Sequence, residues 1–272
     1  MKTIVHLSDL HFGRVDAALL DPLVQSVHEA RPDVVVVSGD VTQRARTEQF
    51  RAAAAFLARL PSPRVVVPGN HDVPLYNVIG RFLRPLAGFR RYIEADARPR
   101  HVDPELAVLG VNTARSLVVK NGRINAEQVA DLRASLAALA PEVVRVVVTH
   151  HPFDVSPGAD DHDVVGRAAM AMAAFAECGV DVLLAGHLHV SHRADSGERH
   201  ALAGYGALVI SAGTATSTRK RGESNSFNVL RVSKARVEVQ RYEWQAAEHR
   251  FAGLAREVFQ RRGGGWESIY KY

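Results

Sequence analysis

The feature that most limits what this chain can fold into is a recurring unit. A short β-branched apolar run is followed by a turn bearing Asp, Asn or His, and then by an alanine-rich stretch with helical spacing. Runs at 3–8, 33–38, 64–67, 106–111, 143–149 and 181–185 predict strands, and 18–30, 46–60, 126–140 and 164–178 predict helices. Several runs, such as 34–37, are apolar without interruption, which suits strands covered on both faces. Strand and helix in alternation predict an α/β domain. Asn125 stands where the third helix should begin, with Gln128 at the reciprocal capping position.

Beyond Gly186 the texture changes. Strands at 188–194, 207–211, 227–232 and 236–243, separated by Gly, Ser and Asp turns, predict antiparallel pairing, with Ser233-Lys234 as a tight hairpin turn. The stretch 246–262 has helical spacing, and Gly263-Gly264-Gly265 then leads into an aromatic tail at 266–272. The expected division is a main domain over 1–245 and a C-terminal helix with its tail over 246–272. Trp266, Tyr270 and Tyr272 make that tail a candidate homo-oligomer contact.

Composition excludes several classes. The longest apolar runs, at 34–37, 143–148 and 180–185, fall far short of the ~20 residues that span a bilayer, so no membrane span is expected. The first residues enter a strand without the apolar core of a signal peptide. Cys178 is the sole cysteine, which rules out an intrachain disulfide and a thiolate metal cluster. A cytoplasmic location is the expected default. The formal charge of +5 and pI near 9.6 suit an anionic substrate and argue only weakly for nucleic acid.

Five motifs follow the apolar runs in order: Asp9-Leu10-His11, Gly39-Asp40, Gly69-Asn70-His71-Asp72, His150-His151 and Gly186-His187-Leu188-His189. Each alone is weak, since a Gly-Asp is usually a turn and a His-His often lies on the surface. Together they place Asp, Asn and His, and no Cys, at the carboxyl edge of one sheet, where open α/β folds bind ligands. Mixed imidazole and carboxylate donors suit Mn²⁺, Fe²⁺ or Zn²⁺. A bridging carboxylate would hold two such ions ~3.5–4 Å apart, the spacing useful for displacement at phosphorus.

The order D-x-H, G-D, G-N-H-D, H, G-H-x-H over 9–189 resembles the calcineurin-like metallophosphoesterase superfamily. It looks most like the class III cyclic-nucleotide phosphodiesterases and their bacterial relatives, which include glycerophosphodiesterases. The resemblance implies a β-sandwich of two mixed sheets flanked by helices. It also implies two divalent metal ions, one held by Asp9, His11, Asp40 and His189, the other by Asp40, Asn70, His150 and His187. The implied activity is hydrolysis of a small phosphodiester by a hydroxide bridging the ions. His71 would face the substrate, stabilising charge or protonating the leaving oxygen, with Asp72 orienting its ring. His151 would stand behind the ligands or face the substrate.

Two departures narrow the family. Protein phosphatases carry Asp-Arg after Gly-Asp and an Arg before Gly-Asn-His, whereas this chain reads Asp40-Val41-Thr42-Gln43-Arg44 and has Pro68. The repair nucleases share Asp-x-His-x-Gly but usually add a second Asp after Gly-Asp and a capping domain. The competing expectations are a DNA nuclease, a phosphomonoesterase and a non-catalytic, metal-stabilised interaction module. Substrate choice would rest on loops at 75–92 and 213–225, the second carrying Arg219-Lys220-Arg221.

Overall fold

Along the valine-rich strands, successive side chains go to opposite faces and meet different partners. In β1 (Lys2–Leu7), Ile4 joins one apolar cluster while Val5 and Leu7 join another. In β2 (Val34–Val37), Val34 and Val36 separate in the same way from Val35 and Val37. The computed structural model describes residues 1–96, 98–116, 121–155, 163–200, 202, 204–219 and 222–271. The further strands are β3 (Arg64–Val66), β4 (Arg100–Val102), β5 (Leu106–Gly110), β6 (Val144–Val148), β7 (Val182–Ala185) and β8 (His192–Asp195). They are followed by β9 (Leu208–Ser211), β10 (Ser226–Val232), β11 (Arg236–Gln245), β12 (Arg250–Arg262) and β13 (Gly265–Lys271).

These strands form two mixed sheets, ordered β13-β12-β11-β10-β1-β2-β3 and β4-β5-β6-β7-β9-β8. Ile4, Val34, Val146, Leu184 and Ile210 interdigitate between them. Helices α1 (Leu20–Glu29) and α2 (Thr47–Leu57) cover the outer face of the first sheet through Leu23, Val27, Phe50 and Phe56. Two short helices follow, α3 (Val78–Leu83) and α4 (Ala87–Tyr92), and Phe89 of α4 joins the same cluster. The outer face of the second sheet is covered by α5 (Ala126–Ala137) and α6 (Ala168–Glu177), through Leu132, Leu136 and Phe175. The result is the expected sandwich of two mixed sheets flanked by helices. Burial of each such side chain contributes ~1.5–3 kcal/mol.

The antiparallel expectation beyond Gly186 holds for β10 against β11 and for β8 against β9; β12 and β13, which were not expected as strands, continue the antiparallel set. Strand β9 also pairs with β7, and that pairing is parallel, with Val182 opposite Leu208. The loop carrying β8 returns the chain in the direction of β7, so β9 extends the parallel set.

The predicted C-terminal helix is not formed. Residues 250–262 are strand β12, and the aromatic tail belongs to β13 up to residue 271, with Tyr272 outside the described residues. Ala252, Leu254, Ala255, Arg256 and Glu257 favour a helix intrinsically, but β11 presents an open ladder of backbone groups that β12 satisfies. Phe251 and Phe259 enter the core in this register. Trp266 is 6% exposed, donates from Nε1 to the Asp181 carbonyl at 3.1 Å, and packs under the Arg261 guanidinium at 4.7 Å. It therefore seals the sandwich of its own chain. Trp266→Ala should lower stability by roughly 3–5 kcal/mol. Urea unfolding would show an earlier midpoint with an unchanged slope; a loss below about 1 kcal/mol would contradict a sealing role.

Candidate metal centre

The five motifs were expected at the edge of one sheet; instead the parallel strands of both sheets deliver them to a shared edge. Strands β1, β2 and β3 run directly into Ser8-Asp9, Ser38-Gly39-Asp40 and Gly69-Asn70, while β6 and β7 run into Thr149-His150 and Gly186-His187. Close approach there depends on two glycines. A Cβ on Gly69 would lie 2.7 Å from Cγ of Asp40, and one on Gly186 would lie 2.7 Å from Oδ2 of Asp9. The backbone is also forced: Asp9, His11, Asp40, His187 and His189 all have φ between 51° and 73°, the left-handed region. Non-glycine residues held there cost on the order of 1–3 kcal/mol each, and such strain collects at functional sites.

All seven expected ligands converge. Asp9 Oδ1 lies 3.5 Å from His11 Nε2 and 3.6 Å from His189 Nε2. Asp40 Oδ2 lies 3.8 Å from His11 Nε2 and 3.4 Å from His150 Nε2, so this carboxylate stands between the two halves of the cluster. Asn70 Oδ1 is 3.1 Å from His150 Nε2, and the His187 ring is centred 5.1 Å from that of His150.

Partners behind the cluster orient the imidazoles. His150 Nδ1 donates to the Ser38 carbonyl at 2.8 Å. Thr214 Oγ1 donates to the Asp9 carbonyl at 3.1 Å and therefore accepts from His189 Nδ1 at 2.9 Å. In both rings Nε2 is left facing the carboxylates, the arrangement that fixes a ligating tautomer. His151 is buried behind this layer, with Nδ1 2.8 Å from Thr113 Oγ1 and its ring 4.6 Å from that of His187. His6 is an ordinary packed residue of β1, bonded to Ser38 Oγ at 2.8 Å.

The electrostatics call for cations. Asp9 and Asp40 are buried, and among the described residues no Lys or Arg pairs with either carboxylate. Burial alone would raise both groups, yet the surrounding histidines hold both below the usual carboxylate range. Burial pulls on His150 too, but Asp40 overrides it and pushes the ring up to about 9. His187 and His189 are instead lowered by burial, to about 3 and about 4, and stay neutral. Asp9 Oδ1, both ring nitrogens of His11 and His187 Nε2 are buried without a hydrogen-bond partner. Orphaned polar atoms are costly, and here they share one place and the chemistry of divalent-metal ligands. The residues fit bound divalent cations.

One expectation about the neighbourhood is overturned. Asp72 does not reach the His71 ring. Its carboxylate accepts from the backbone N–H groups of Val41, Thr42 and Gly69 and from Thr42 Oγ1, tying the second motif loop to the third. Burial, with help from Asp40, raises it to about 6 against those bonds. The ring partners of His71 are Gln43, whose carbonyl lies 2.9 Å and whose side-chain Nε2 lies 3.3 Å from Nδ1, and Arg219 Nη1, 2.8 Å from Nε2. A guanidinium cannot accept, so Nε2 carries the lone pair and Nδ1 carries the hydrogen.

The open pocket over the cluster, a cavity of about 200 Å³, is lined by Arg44, Arg81 and Arg219 as well as by Asn70, His71 and His189. Of the Arg219-Lys220-Arg221 run, Arg219 turns inward; Lys220 and Arg221 lie outside the described residues. Arg81 and Gln43 carried no local signal. Arg81 is buried, donating from Nε to the Ser116 carbonyl and from Nη1 to the Pro74 carbonyl.

A strained, histidine-rich donor cluster at the carboxyl edge of a two-sheet sandwich defines the class, and comparison with known proteins agrees. The family model described as calcineurin-like phosphoesterase matches residues 2–191, and the chain belongs to that family. Among curated relatives, the glycerophosphodiester phosphodiesterase GpdQ of Enterobacter lignolyticus (strain SCF1) is 35% identical over 94 residues, 30% of this chain and 33% of that protein. A Danio rerio transmembrane protein with metallophosphoesterase domain is 39% identical over 83 residues, 29% of this chain and 18% of that protein. The matched segments thus span a third or less of either relative. Among solved structures, a dimetal phosphatase from Danio rerio superposes with a TM-score of 0.63 at 16% identity, covering 88% of this chain and 95% of that one. The purple acid phosphatase PPD1 from yellow lupin gives 0.65 at 12% identity, covering 96% and 54%. Those two likenesses concern the fold. Among the described residues no helix is long and apolar enough to cross a membrane.

Proposed function

We propose that the chain is a dinuclear metal-dependent hydrolase acting on a small phosphodiester, such as a cyclic nucleotide or a glycerophosphodiester. The observation that carries this is the buried cluster of carboxylates and inward-facing imidazoles around Asp40. One cation would be held by Asp9, His11, Asp40 and His189, and the other by Asp40, Asn70, His150 and His187. When bound, Mn, Fe or Zn ions supply positive charge to the phosphoryl oxygens and acidify water for attack at phosphorus. The chain's own residues set the scene for that chemistry. Ser38 and Thr214 hold two ligand tautomers, and Asp72 locks two motif loops together. Arg219, held by His71, lines the pocket and would bring its positive charge to a phosphoryl oxygen. In this tautomer His71 accepts from Arg219 and has no Nε2 proton for a leaving group, which favours charge stabilisation over proton donation.

The diester preference is supported by Pro68, by the missing Asp-Arg pair, and by the 94-residue similarity to a diesterase. Arg44, Arg81 and Arg219 around the pocket favour a second reading, a phosphomonoesterase, because a dianion needs more compensating charge. With equal metal loading, kcat/KM should be higher for bis(4-nitrophenyl) phosphate than for 4-nitrophenyl phosphate. A clear monoester preference would replace the first reading with the second. Failure to turn over either ester, with both ions bound, would leave a non-catalytic module.

A further inference from the structure

Four of the most exposed large apolar side chains crowd into eight residues beside the pocket. Tyr76, Ile79, Phe82 and Leu83 are 72%, 74%, 53% and 76% exposed. Ile79, Phe82 and Leu83 are spaced i, i+3, i+4 on α3 and so share one face. The opposite face is anchored by buried Arg81 through the Ser116 and Pro74 carbonyls, so the apolar face is held outward. Exposed apolar clusters of this kind mark interaction sites. Charge narrows the partner: from 73 to 93 the chain contains no Asp or Glu, and exposed Arg84 and Arg90 line one cavity together with Leu83 of the apolar face.

We propose that α3 and its flanking arginines dock on an anionic lipid surface, and that the substrate is the headgroup of a membrane-borne phosphodiester. The second half rests on the hydrolase reading above. Apolar side chains that enter the acyl boundary, ringed by arginines that meet anionic headgroups, are the composition of an interfacial element. A second copy of this chain fits less well, because a two-fold contact through this face would set arginines against arginines. The pocket supports the same substrate class. Leu75 and Arg81 of this segment line it, and about 200 Å³ falls below the ~300–1,000 Å³ that encloses a drug-sized ligand. A headgroup enters while the rest of a larger ester stays outside. Leu83, Pro85, Leu86 and Phe89, together with Arg84, Arg90, Asp96 and Asn112, line a second cavity of about 470 Å³, a mostly apolar recess of a size for an alkyl chain.

The test is sedimentation of the metal-loaded protein with phosphatidylcholine vesicles, with and without phosphatidylglycerol. Binding should require the anionic lipid and weaken with salt. It should fall at least ~10-fold in the Phe82→Ser, Leu83→Ser double variant, and about fivefold for each of Arg84→Gln and Arg90→Gln. Leu254→Ser, which removes an exposed apolar side chain elsewhere, should bind as wild type. Equal melting temperatures establish that the variants are folded. Absent or lipid-independent binding overturns the proposal, as does binding unaffected by the double variant. A concentration-dependent dimer abolished by that variant, without vesicle binding, assigns the face to self-association instead. Vesicle binding by a protein that hydrolyses no ester would keep the surface and remove the hydrolase reading; turnover without vesicle binding would do the reverse.

Discussion

Asp40→Asn should remove both metal ions and lower turnover of bis(4-nitrophenyl) phosphate by on the order of 10³-fold or more. The carboxylate lies 3.8 Å from His11 Nε2 and 3.4 Å from His150 Nε2, and these rings belong to opposite halves of the cluster. An amide keeps the shape and can still accept the 2.8 Å bond from the His71 backbone N–H, so the loops should stay in place. What it loses is the charge that two cations would share. Asn70→Ala, by contrast, removes a ligand from one half only and should cost one ion. Elemental analysis decides the matter. Two ions retained in Asp40→Asn would refute the shared role of this carboxylate, and full activity in wild type with a single ion would refute the dinuclear centre.

His71→Ala and Arg219→Ala should each lower kcat/KM by about 10²-fold, the scale seen when one donor to a developing oxyanion is removed. Metal content should not change. Because Nε2 of His71 accepts from Arg219, the two side chains act as a unit, and the double variant should be little worse than either single one. The losses should also be equal for nitrophenolate and for a poor alkoxide leaving group. General acid catalysis predicts otherwise: a good leaving group needs no proton, so the deficit of His71→Ala would shrink with it. That pattern would return the proton-donor role to His71 and reduce Arg219 to a contact. His71→Gln separates orientation from charge, since its amide oxygen can still accept from Arg219 and should restore part of the activity.

The amino-acid sequence by itself determined the strands that carry the motifs, the order of the five motifs and the type of ion they suit. It also determined local devices, such as the reciprocal cap between Asn125 and Gln128 and the hairpin closed by Ser233 and Arg236. These are legible because their causes lie within a few residues: a period-2 apolar run, a capping side chain, a turn. Other features were decided only in three dimensions. Whether 250–262 is helix or strand depended on an unpaired edge of β11, which outweighs intrinsic propensity. The two short helices α3 and α4 lie in a stretch that read only as a loop, and α3 is held by Arg81 reaching Ser116, 35 residues away. The ring partner of His71 was misassigned to its sequence neighbour Asp72 and proved to be Arg219, 148 residues distant. Asp72 was taken by the Gly69 N–H within its own motif and by the Val41 and Thr42 N–H groups, which only the joined loops bring into reach. A buried polar group bonds whatever satisfiable partner packing places beside it, and chain separation does not enter that choice.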